Sequence, residues 1–397
     1  MNIRSLIGRD RSLFDRDVAR HAAAIDDAVA GKRVLVVGGA GSIGREVCRE
    51  IFRRDPAALH VIDISENSLV ELVRSLRSVE GYIAGEVRFL PLDVGSVEAR
   101  AFLAAQPAYD LFLNFAAMKH VRSEKDEFSL MRLIKVNVLD TLETLERASA
   151  QGTAKYFAVS TDKAQSPANL MGASKRIMED ILFGFAGGMT VSTARFANVA
   201  FSDGSLLHGF RQRLQLGQPL SAPSDVRRYF VTGEEAGLLC LASITLGRDR
   251  EIFFPRLDAG EDLLSFADIA VRFLEASGFE PVFVASEDDA RGCAAELIGQ
   301  RKWPCFFFAS DTSGEKPFEE FHAPGDRIDW SRFVDIGVIA RDAPEPAIVA
   351  RAAAFVATVE DLRRAGCWDK PALVAAITAA CPDLDHIETG RTLDNRM

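Results

Sequence analysis

The sequence predicts an α/β protein in which a doubly wound parallel sheet is followed by a smaller, mixed C-terminal domain. Three observations carry the prediction: apolar runs alternate with helical stretches over residues 33–196, glycines cluster directly after the first apolar run, and the alternation loosens after residue 197. Continuous apolar runs are typical of parallel strands buried on both faces, and the intervening helices supply the crossovers that cover those faces.

The predicted elements follow in a regular order up to residue 196. After a short polar helix over 16–29, strands are expected over 33–38, 59–63, 87–91, 111–115, 155–160 and 190–196. The helices between them are expected over 42–54, 66–79, 96–105, 128–150 and 172–185. Later in the chain we expect helices over 264–277 and 287–300, a strand over 305–309 and an alanine-rich helical stretch over 344–381.

We divide the chain into four parts on this basis. They are an N-terminal helical extension (1–30), a dinucleotide-binding domain (31–200), a substrate-binding region (201–340) and a C-terminal helical region (341–397). In open α/β sheets, ligands bind in the crevice outside the carboxyl ends of the strands. The substrate site is therefore expected where the second and third parts meet.

Composition argues against several classes of protein. Hydrophobic residues make up 48% and charged residues 26% of the chain, which is the balance of a globular protein. No apolar run approaches the ~20 residues that span a bilayer, and the N-terminus lacks the apolar core of a secretory signal, so we expect a cytoplasmic protein without a membrane partner. The net charge of −10 argues against a nucleic-acid partner. The six cysteines lack metal-ligand spacing, so neither a metal site nor disulfides are expected.

A glycine-rich loop follows the first predicted strand and opens a helix. Gly38 permits the tight turn, Gly41 allows the backbone to approach a diphosphate, and Gly44 allows the helix and strand to pack closely. Ser42 and Ile43 lie among these glycines at the helix N-terminus, where unpaired N–H groups face the phosphates. In this context the loop predicts a Rossmann-type dinucleotide-binding fold.

The carboxylate that ends the second strand indicates which dinucleotide is bound. Asp63 lies nineteen residues after Gly44, where a carboxylate binds the adenosine ribose hydroxyls. Because a carboxylate there repels a 2′-phosphate, NAD is favoured over NADP as the cofactor. Asp93 and Val94, after the third strand, are expected to border the adenine, although Asp93 is equally suited to cap the next helix.

Further motifs resemble a known family. Asn114, Ala116 and Ala117 after the fourth strand, together with Lys175, resemble the extended short-chain dehydrogenase/reductase superfamily, which implies that the two alanines and Lys175 border the cofactor. A narrower pair of motifs resembles the bacterial UDP-N-acetylglucosamine 4,6-dehydratases of surface-polysaccharide and protein-glycosylation pathways; these motifs are STDKA at 160–164 and MGASKR at 171–176. Shorter matches follow in order at 119–121 (KHV), 195–199 (RFANV), 228–230 (RYF) and 314–316 (GEK).

The resemblance implies a particular reaction and particular catalytic residues. NAD oxidises C4 of a hexose, water is lost across C5–C6, and the hydride returns to C6. By the same resemblance Asp162 is the acid at the C6 oxygen, Lys163 is the base at C5, and Lys175 contacts the nicotinamide ribose. Met171 stands where the superfamily has a catalytic tyrosine, so Thr161, Asp162 or a bound water must relay the C4 proton.

The resemblance also implies contacts with a nucleotide-activated sugar. Lys119 and His120 follow the fourth strand and are expected to border the hexose, although His120 equally suits a structural role. Asn198 and Arg228 suit the diphosphate and nucleoside, because an arginine can bind phosphate through two N–H groups. The full set of implied substrate-binding residues is Lys119, His120, Met171, Asn198, Arg228 and Glu315, of which Glu315 is equally suited to a surface ion pair.

Two other functions stay open at this stage. The first is a nucleotide-sugar C4 epimerase or dehydrogenase on the same fold. Met171 and the Asp162–Lys163 pair argue against it, because simple C4 redox chemistry relies on the tyrosine and has no use for an elimination acid and base. The second is a non-catalytic NAD-binding scaffold. A homo-oligomer is expected by analogy with the fold.

Overall fold

The computed structural model describes residues 2–310, 318 and 320–386. Within these residues the helices are α1 (Ile3–Leu6), α2 (Asp15–Arg20), α3 (Ala22–Val29), α4 (Gly44–Phe52), α5 (Glu66–Val79), α6 (Val97–Ala104), α7 (Glu127–Ile134), α8 (Asp140–Gln151), α9 (Leu170–Gly184), α10 (Leu206–Leu216), α11 (Gly233–Leu246), α12 (Phe266–Ala276), α13 (Glu287–Gly299), α14 (Pro346–Ala365) and α15 (Lys370–Ala380). The strands are β1 (Arg33–Val37), β2 (Ala58–Asp63), β3 (Glu86–Pro91), β4 (Leu111–Asn114), β5 (Lys155–Val159), β6 (Thr190–Ala194), β7 (Asn198–Val199), β8 (Leu220–Pro223), β9 (Arg227–Val231), β10 (Glu251–Pro255), β11 (Leu263–Ser265), β12 (Glu280–Phe283), β13 (Lys302–Phe308), β14 (Ile328–Asp329) and β15 (Ile336–Ala340).

The main sheet has the order β14-β15-β10-β6-β5-β4-β1-β2-β3. The strands from β3 to β10 in that order pair in parallel, whereas β15 is antiparallel to β10 and β14 is antiparallel to β15. Helix α4 packs against α11, and α8 packs against α9. The crossover from β3 to β4 reverses the direction in which strands are added, which is the doubly wound arrangement. The predicted α/β class is therefore confirmed.

The central strands are buried because helices cover both faces of this sheet. In β1 the residues from Val34 to Val37 are buried, and so is every residue of β2. The edge strand β3 instead alternates between exposed and partly buried residues. This difference explains why the central strands are continuous apolar runs in the sequence.

A second, smaller core lies beside the main one and confirms the expected mixed region. Its sheets have the orders β11-β9-β7 and β12-β13-β8. Buried aromatic side chains hold it together, namely Phe201, Phe210, Phe230, Phe273 and Trp303. Strands β12 and β13 are parallel and are joined by α13, so part of this region is a further strand–helix–strand unit.

The chain returns to the main sheet after the second core begins. Strands β10, β14 and β15 come from residues that sequence analysis assigns to the substrate-binding region. The short run at Ile336–Ala340 was not expected as a strand, because it pairs with a partner more than eighty residues earlier, on β10. The four-part division of the chain stays a prediction.

One predicted helix, over 128–150, is interrupted. A π-helical segment, Lys135–Leu139, separates α7 from α8. Inside it Asn137 is fully buried; its Oδ1 accepts a hydrogen bond from Met118 N (2.9 Å), and its Nδ2 donates to Met118 O (3.0 Å) and Ser174 Oγ (3.0 Å). Such one-turn bulges recur near functional sites. Here the bulge joins the loop after β4 to helix α9.

The expectation of one polar helix over 16–29 is wrong. Helices α2 and α3 are separated at His21, and α1 precedes them. Leu6 and Ile7 are buried in the second core, whereas Leu13 and Phe14 are buried in the main core. The N-terminal segment therefore crosses both cores, which a helix-period pattern over 16–29 does not reveal.

Glu235 holds this N-terminal segment in place. Its Oε1 accepts a hydrogen bond from Leu13 N (2.9 Å), and its Oε2 accepts from Arg9 Nη2 (2.5 Å) and Thr232 N (2.7 Å). The Thr232 side chain accepts in return from Glu235 N, which completes a capping box at the start of α11. One fully buried carboxylate thus serves both the helix and the segment that crosses the two cores.

The remaining expectations about composition concern cysteines, metals and membranes. Four cysteines are buried, Cys293 is partly buried and Cys367 is exposed. Among the described residues, no group of three or more His, Cys, Asp or Glu side chains is arranged to hold a metal ion. None of the helices described above combines the length and apolar composition needed to cross a bilayer.

Replacing Glu235 by alanine is expected to lower the free energy of unfolding by about 3 kcal/mol. The reason is that Arg9, whose side chain is 11% exposed, loses its carboxylate while α11 loses its capping box. Urea denaturation followed by circular dichroism measures the change. Glu234→Ala is the matched control, because Glu234 is 58% exposed and its pair with Arg4 contributes less than about 1 kcal/mol. Equal losses in the two variants would contradict the assignment.

Candidate functional site

The glycine loop after β1 has the conformation that its sequence predicts. Gly38 has a φ of +71°, and a Cβ there would lie 2.6 Å from Ala116 N. At Gly44 a Cβ would overlap Gly38 O and come within 2.8 Å of the Cα of Gly39, so α4 packs directly on the turn. At Gly41 a Cβ would have only Gly38 O (3.4 Å) within 4 Å. The loop is therefore tight on its protein side and open at Gly41.

The open side of the loop presents unpaired donors. The N–H groups of Ser42, Ile43 and Gly44 donate to no acceptor among the described residues. They stand at the N-terminus of α4, where the helix dipole favours an anion. This combination of open space and free N–H groups fits the diphosphate of a dinucleotide.

Asp63 ends β2 beside this loop. Its Oδ2 accepts a hydrogen bond from Ala40 N (2.9 Å), and its Oδ1 accepts from Ser65 N (2.9 Å). In this arrangement the carboxylate fixes the glycine loop, and its contact with the adenosine ribose stays a prediction. The next residue, Ile64, is 66% exposed.

Asp93 and Val94 follow β3, and their side chains differ in their surroundings. Val94 is buried, whereas Asp93 Oδ1 accepts from Gly95 N (3.1 Å) and its Oδ2 from Arg132 Nη2 (3.0 Å). Burial raises the pKa of Asp93, but the hydrogen bonds from Gly95 and Arg132 outweigh it, and the pKa lies below its ordinary value. The residue that caps α6 is Ser96. Asp93 therefore accepts a hydrogen bond within the turn after β3 and forms an ion pair with Arg132.

The fourth strand brings a second loop to the same edge. Asn114 Oδ1 accepts from Ala116 N (3.1 Å), so the side chain turns the backbone away from β4. Ala116 and Ala117 are partly buried there, and Ala116 N is the atom closest to Gly38. Ala116 thus lies directly against the glycine loop, and Ala117 follows it in the same loop.

The predicted catalytic pair lies in a 3₁₀ turn immediately after β5. Asp162 is 3% exposed, and its Oδ1 accepts from Thr161 Oγ1 (2.8 Å), Lys163 N (2.9 Å) and Lys163 Nζ (3.1 Å). No described residue donates to its Oδ2. The structure therefore brings Thr161, Asp162 and Lys163 into mutual contact and leaves one carboxylate oxygen for a ligand.

Helix α9 carries the next two predicted residues one turn apart. Lys175 is 4% exposed and donates from Nζ to Val159 O (3.0 Å); burial lowers its pKa to about 8, and Glu179 opposes that shift. Met171 is buried at the start of the helix, and its N–H donates to Glu124 Oε1 (2.7 Å). Burial raises the pKa of Glu124, and the hydrogen bonds from the backbone of α9 oppose the shift. Glu124 was not predicted, because its partner is forty-seven residues later.

Lys119 and His120 lie against residues 202–204, a segment that follows β7. Lys119 Nζ donates to Ser202 Oγ (3.4 Å), and withdrawal from bulk water lowers its pKa while Asp203 opposes the shift. Burial and the neighbouring cations lower the pKa of His120. A Cβ on Gly204 would lie 2.9 Å from His120 Nε2, and Gly204 has a φ of +72°, so this position requires glycine.

Asp203 connects that segment to the glycine loop. Its Oδ2 accepts from Ser42 Oγ (3.0 Å) and from Arg45 Nη2 (2.9 Å). Its own N–H donates to Ser42 Oγ (3.0 Å). The segment thus contacts both the predicted cofactor side and the predicted hexose side, and neither Arg45 nor Asp203 was predicted because their contact joins distant parts of the chain.

The remaining predicted residues lie further along the chain. Asn198 begins β7 and pairs with Phe230 of β9. Arg228 lies two residues earlier in β9, is 3% exposed and donates from Nη1 to Arg227 O (2.8 Å). Asn198 and Arg228 are therefore on neighbouring strands. Glu315 lies outside the described residues.

The fold and the glycine loop together define a Rossmann-type dinucleotide-binding protein. Residues 34–337 match the family described as polysaccharide biosynthesis protein, and the chain belongs to this family. The chain is 28% identical over 282 residues to the capsular polysaccharide biosynthesis protein CapD of Staphylococcus aureus, covering 70% of this chain and 45% of that protein. It is 27% identical over 356 residues to the probable polysaccharide biosynthesis protein EpsC of Bacillus subtilis, covering 88% and 57%. The chain thus spans about half the length of these two relatives.

Other similar proteins bear on the predicted resemblance. A UDP-N-acetylglucosamine 4,6-dehydratase (inverting) of Campylobacter jejuni is 27% identical over 237 residues, which are 57% of this chain and 67% of that enzyme. The resemblance to this dehydratase family is confirmed. Among solved structures, Pen from Bacillus thuringiensis has a TM-score of 0.64 at 22% identity, covering 79% of this chain and 88% of Pen. DesIV, a dTDP-glucose 4,6-dehydratase from Streptomyces venezuelae with NAD and TYD bound, has a TM-score of 0.56 at 19% identity, covering 86% and 99%. At these identities the structures show the shared fold.

Gly44→Ala is expected to lower the free energy of unfolding by about 2 kcal/mol. The added methyl group overlaps Gly38 O, so the start of α4 must move away from the loop. Thermal unfolding monitored by circular dichroism gives the change. Gly292→Ala in α13 is the control, since no atom lies within 4 Å of its Cβ position and alanine there stabilises a helix by up to about 1 kcal/mol. An unchanged melting temperature for Gly44→Ala would show that the close packing is not required.

Proposed function

We propose that the protein is an NAD-dependent nucleotide-sugar 4,6-dehydratase whose substrate is UDP-N-acetylglucosamine. The observation that carries the proposal is the contact between Asp162 and Lys163 directly after β5. Elimination of water needs an acid and a base that act at adjacent carbon atoms of the substrate. The similarity to UDP-N-acetylglucosamine 4,6-dehydratases supports the substrate. A cytoplasmic location and a homo-oligomer remain predictions.

The residues at the glycine loop fit NAD. The free N–H groups of Ser42, Ile43 and Gly44 suit its diphosphate, and Asp63 suits the adenosine ribose and disfavours a 2′-phosphate. Lys175, with Nζ held by Val159 O, retains two further N–H groups for the nicotinamide ribose. NAD, when bound, supplies the hydride acceptor at C4 and the hydride donor at C6.

The catalytic turn supplies the proton transfers. In the proposed sequence the C4 hydroxyl proton passes through Thr161 Oγ1 to Asp162, which the 2.8 Å contact between them supports. The C4 ketone acidifies the C5 proton, and neutral Lys163 removes it. Asp162 then gives its proton to the C6 hydroxyl, which leaves as water. Lys163 returns a proton to C5 when the hydride arrives at C6, so the net change is the loss of one water.

Lys163 must be neutral for this role, although it contacts Asp162 in the structure at 3.1 Å. The ion pair holds the proton on Lys163 before substrate binds. Displacement of water from around an ammonium group disfavours its charged form. We propose that Lys163 passes its proton to solvent as the substrate displaces water from the turn, which leaves Asp162 ionised to accept the C4 hydroxyl proton.

A C4 epimerase is the second candidate. UDP-glucose 4-epimerases are among the similar proteins; that of Rickettsia akari is 28% identical over 236 residues. The Asp162–Lys163 pair argues against it, because an epimerase eliminates no water and needs neither an acid at C6 nor a base at C5. A non-catalytic scaffold would bind NAD and nucleotide-sugar without turnover.

The purified protein is expected to retain NAD and to accumulate no NADH during turnover. The reason is that the hydride removed from C4 is returned to C6 of the same molecule. Absorbance of the reduced nicotinamide, followed while UDP-N-acetylglucosamine is consumed, measures this directly. Formation of one NADH per substrate would overturn the dehydratase proposal in favour of a dehydrogenase, and loss of substrate to its C4 epimer would favour the epimerase.

Asp162→Asn and Lys163→Met are each expected to lower turnover by ~10²–10⁴-fold, with much smaller changes in substrate affinity. The two losses differ in kind. In deuterated water Lys163→Met still forms the 4-ketone but incorporates no deuterium at C5, whereas Asp162→Asn, which lacks the acceptor for the C4 hydroxyl proton, forms no 4-ketone. NMR of the sugar distinguishes the two.

Lys135→Met is the matched control for this pair. Lys135 contacts Asp140 at 2.7 Å, and the two side chains are 15% and 5% exposed, against 17% and 4% for Lys163 and Asp162. The proposal gives Lys135 no part in the reaction, so its variant keeps turnover within a few-fold of the wild type. Near-normal turnover in both Asp162→Asn and Lys163→Met would place the chemistry elsewhere.

A further inference from the structure

A fully buried ion pair lies directly behind the catalytic turn. Arg195, immediately after β6, and Glu179, on α9, are 0% and 2% exposed. Arg195 Nε donates to Glu179 Oε1 (2.8 Å), and Arg195 Nη2 donates to Glu179 Oε2 (2.5 Å), so the contact is bidentate. Burying two charges is costly unless the remaining donors and acceptors also find partners. Those partners come from both ends of the catalytic turn.

The turn that contains Asp162 and Lys163 is bound to this pair on both sides. Before the turn, Ser160 Oγ donates to Glu179 Oε1 (2.6 Å). After the turn, Gln165 Oε1 accepts from Arg195 Nη1 (2.6 Å), and Gln165 N donates to Asp162 O (3.1 Å). The pair therefore sets the separation between the two ends of the turn without touching either proposed catalytic side chain.

The same guanidinium reaches a third part of the chain. Arg195 Nη1 also donates to Phe321 O (2.9 Å). The Phe321 ring packs against Tyr229, with ring centroids 5.4 Å apart, and Tyr229 follows the predicted substrate-binding residue Arg228. One nitrogen atom thus joins the catalytic turn to the strand that is expected to hold the nucleotide.

We propose that Arg195 and Gln165 are positioning residues for the dehydratase: Arg195, fixed by Glu179, holds Gln165 and through it the Asp162–Lys163 turn in register with the nucleotide-binding strand. This inference rests on the proposed function. General acid–base catalysis is sensitive to small displacements, and a shift of about 1 Å costs on the order of 10²-fold in rate. A turn of three residues has few hydrogen bonds of its own, so its position depends on the side chains at its ends.

Gln165→Ala tests the inference without leaving a charge unpaired, because Arg195 keeps Glu179 and Phe321 O as partners. We expect kcat to fall by ~10–10²-fold, with KM and NAD retention changed less than about three-fold. Gln165→Glu restores an acceptor for Arg195 Nη1, so it is expected to recover most of the lost kcat. Gln151→Ala is the matched control: Gln151 Nε2 donates to Leu103 O (2.9 Å) between two helices, and its loss leaves kcat unchanged.

A second readout does not depend on catalysis. Hydrogen exchange measured by mass spectrometry is expected to show faster exchange of the amides over residues 160–167 in Gln165→Ala than in the wild type or in Gln151→Ala. If the wild type itself turned over no nucleotide-sugar, the proposed function would fail, while faster exchange would still support the positioning role. An active wild type with equal kcat and equal exchange in Gln165→Ala would overturn the inference. Parallel losses of melting temperature, KM and NAD retention would show a purely structural role and overturn it as well.

Discussion

The hydrogen-bond register of the parallel sheet determines where the site residues at the ends of its strands lie. Val37 is level with Ile62 on one side and Asn114 on the other, Asn114 is level with Ala158, and Val159 is level with Ala194. Each strand therefore ends at nearly the same height. Asp63, the last residue of β2, and the residues directly after the other strands, Gly38, Phe115, Ser160 and Arg195, consequently lie at one edge although they span more than one hundred and fifty positions in the chain. A slip of one residue in any strand would turn these groups to the other face.

Most of the fold was predictable because it depends on local patterns. The start and end of each strand and helix of the alternating region, up to β6, lie within about two residues of their expected positions, because burial on both faces makes each strand an apolar run. Among the features that were not predicted, three show the reason. The π segment depends on Asn137 binding Met118 and Ser174, the strands β10 and β15 depend on pairing with each other, and the N-terminal segment depends on Glu235. In each case the decisive partner is far away in sequence.

The residues of the candidate site also fall into two groups, those that the sequence predicted and those that it did not. The glycine loop, Asp63 and the turn after β5 were expected because each is a short motif whose function resides in consecutive residues. Glu124, Gln165 and Asp203 were not expected, since each acts through a partner on another element: Met171 N, Arg195 and Ser42. Sequence motifs therefore predict the groups proposed to contact a ligand, whereas the groups that hold them in place become visible only in the folded chain.

The buried Arg195–Glu179 pair matters more with Met171 at the start of α9 than it would if a tyrosine stood there. A tyrosine at the start of α9 would be held by the helix, and Lys175 one turn later would set its protonation. With Met171 in that place, all proposed proton transfers fall to the turn from Thr161 to Lys163, which lies outside any long helix or strand.

A buried Arg–Glu pair adds little to stability compared with apolar packing, because desolvation of the charges offsets their attraction. It does impose fixed directions and distances, through four donor–acceptor contacts of Arg195 and one of Ser160. Accurate placement of a short turn requires such directional contacts, and apolar packing does not supply them.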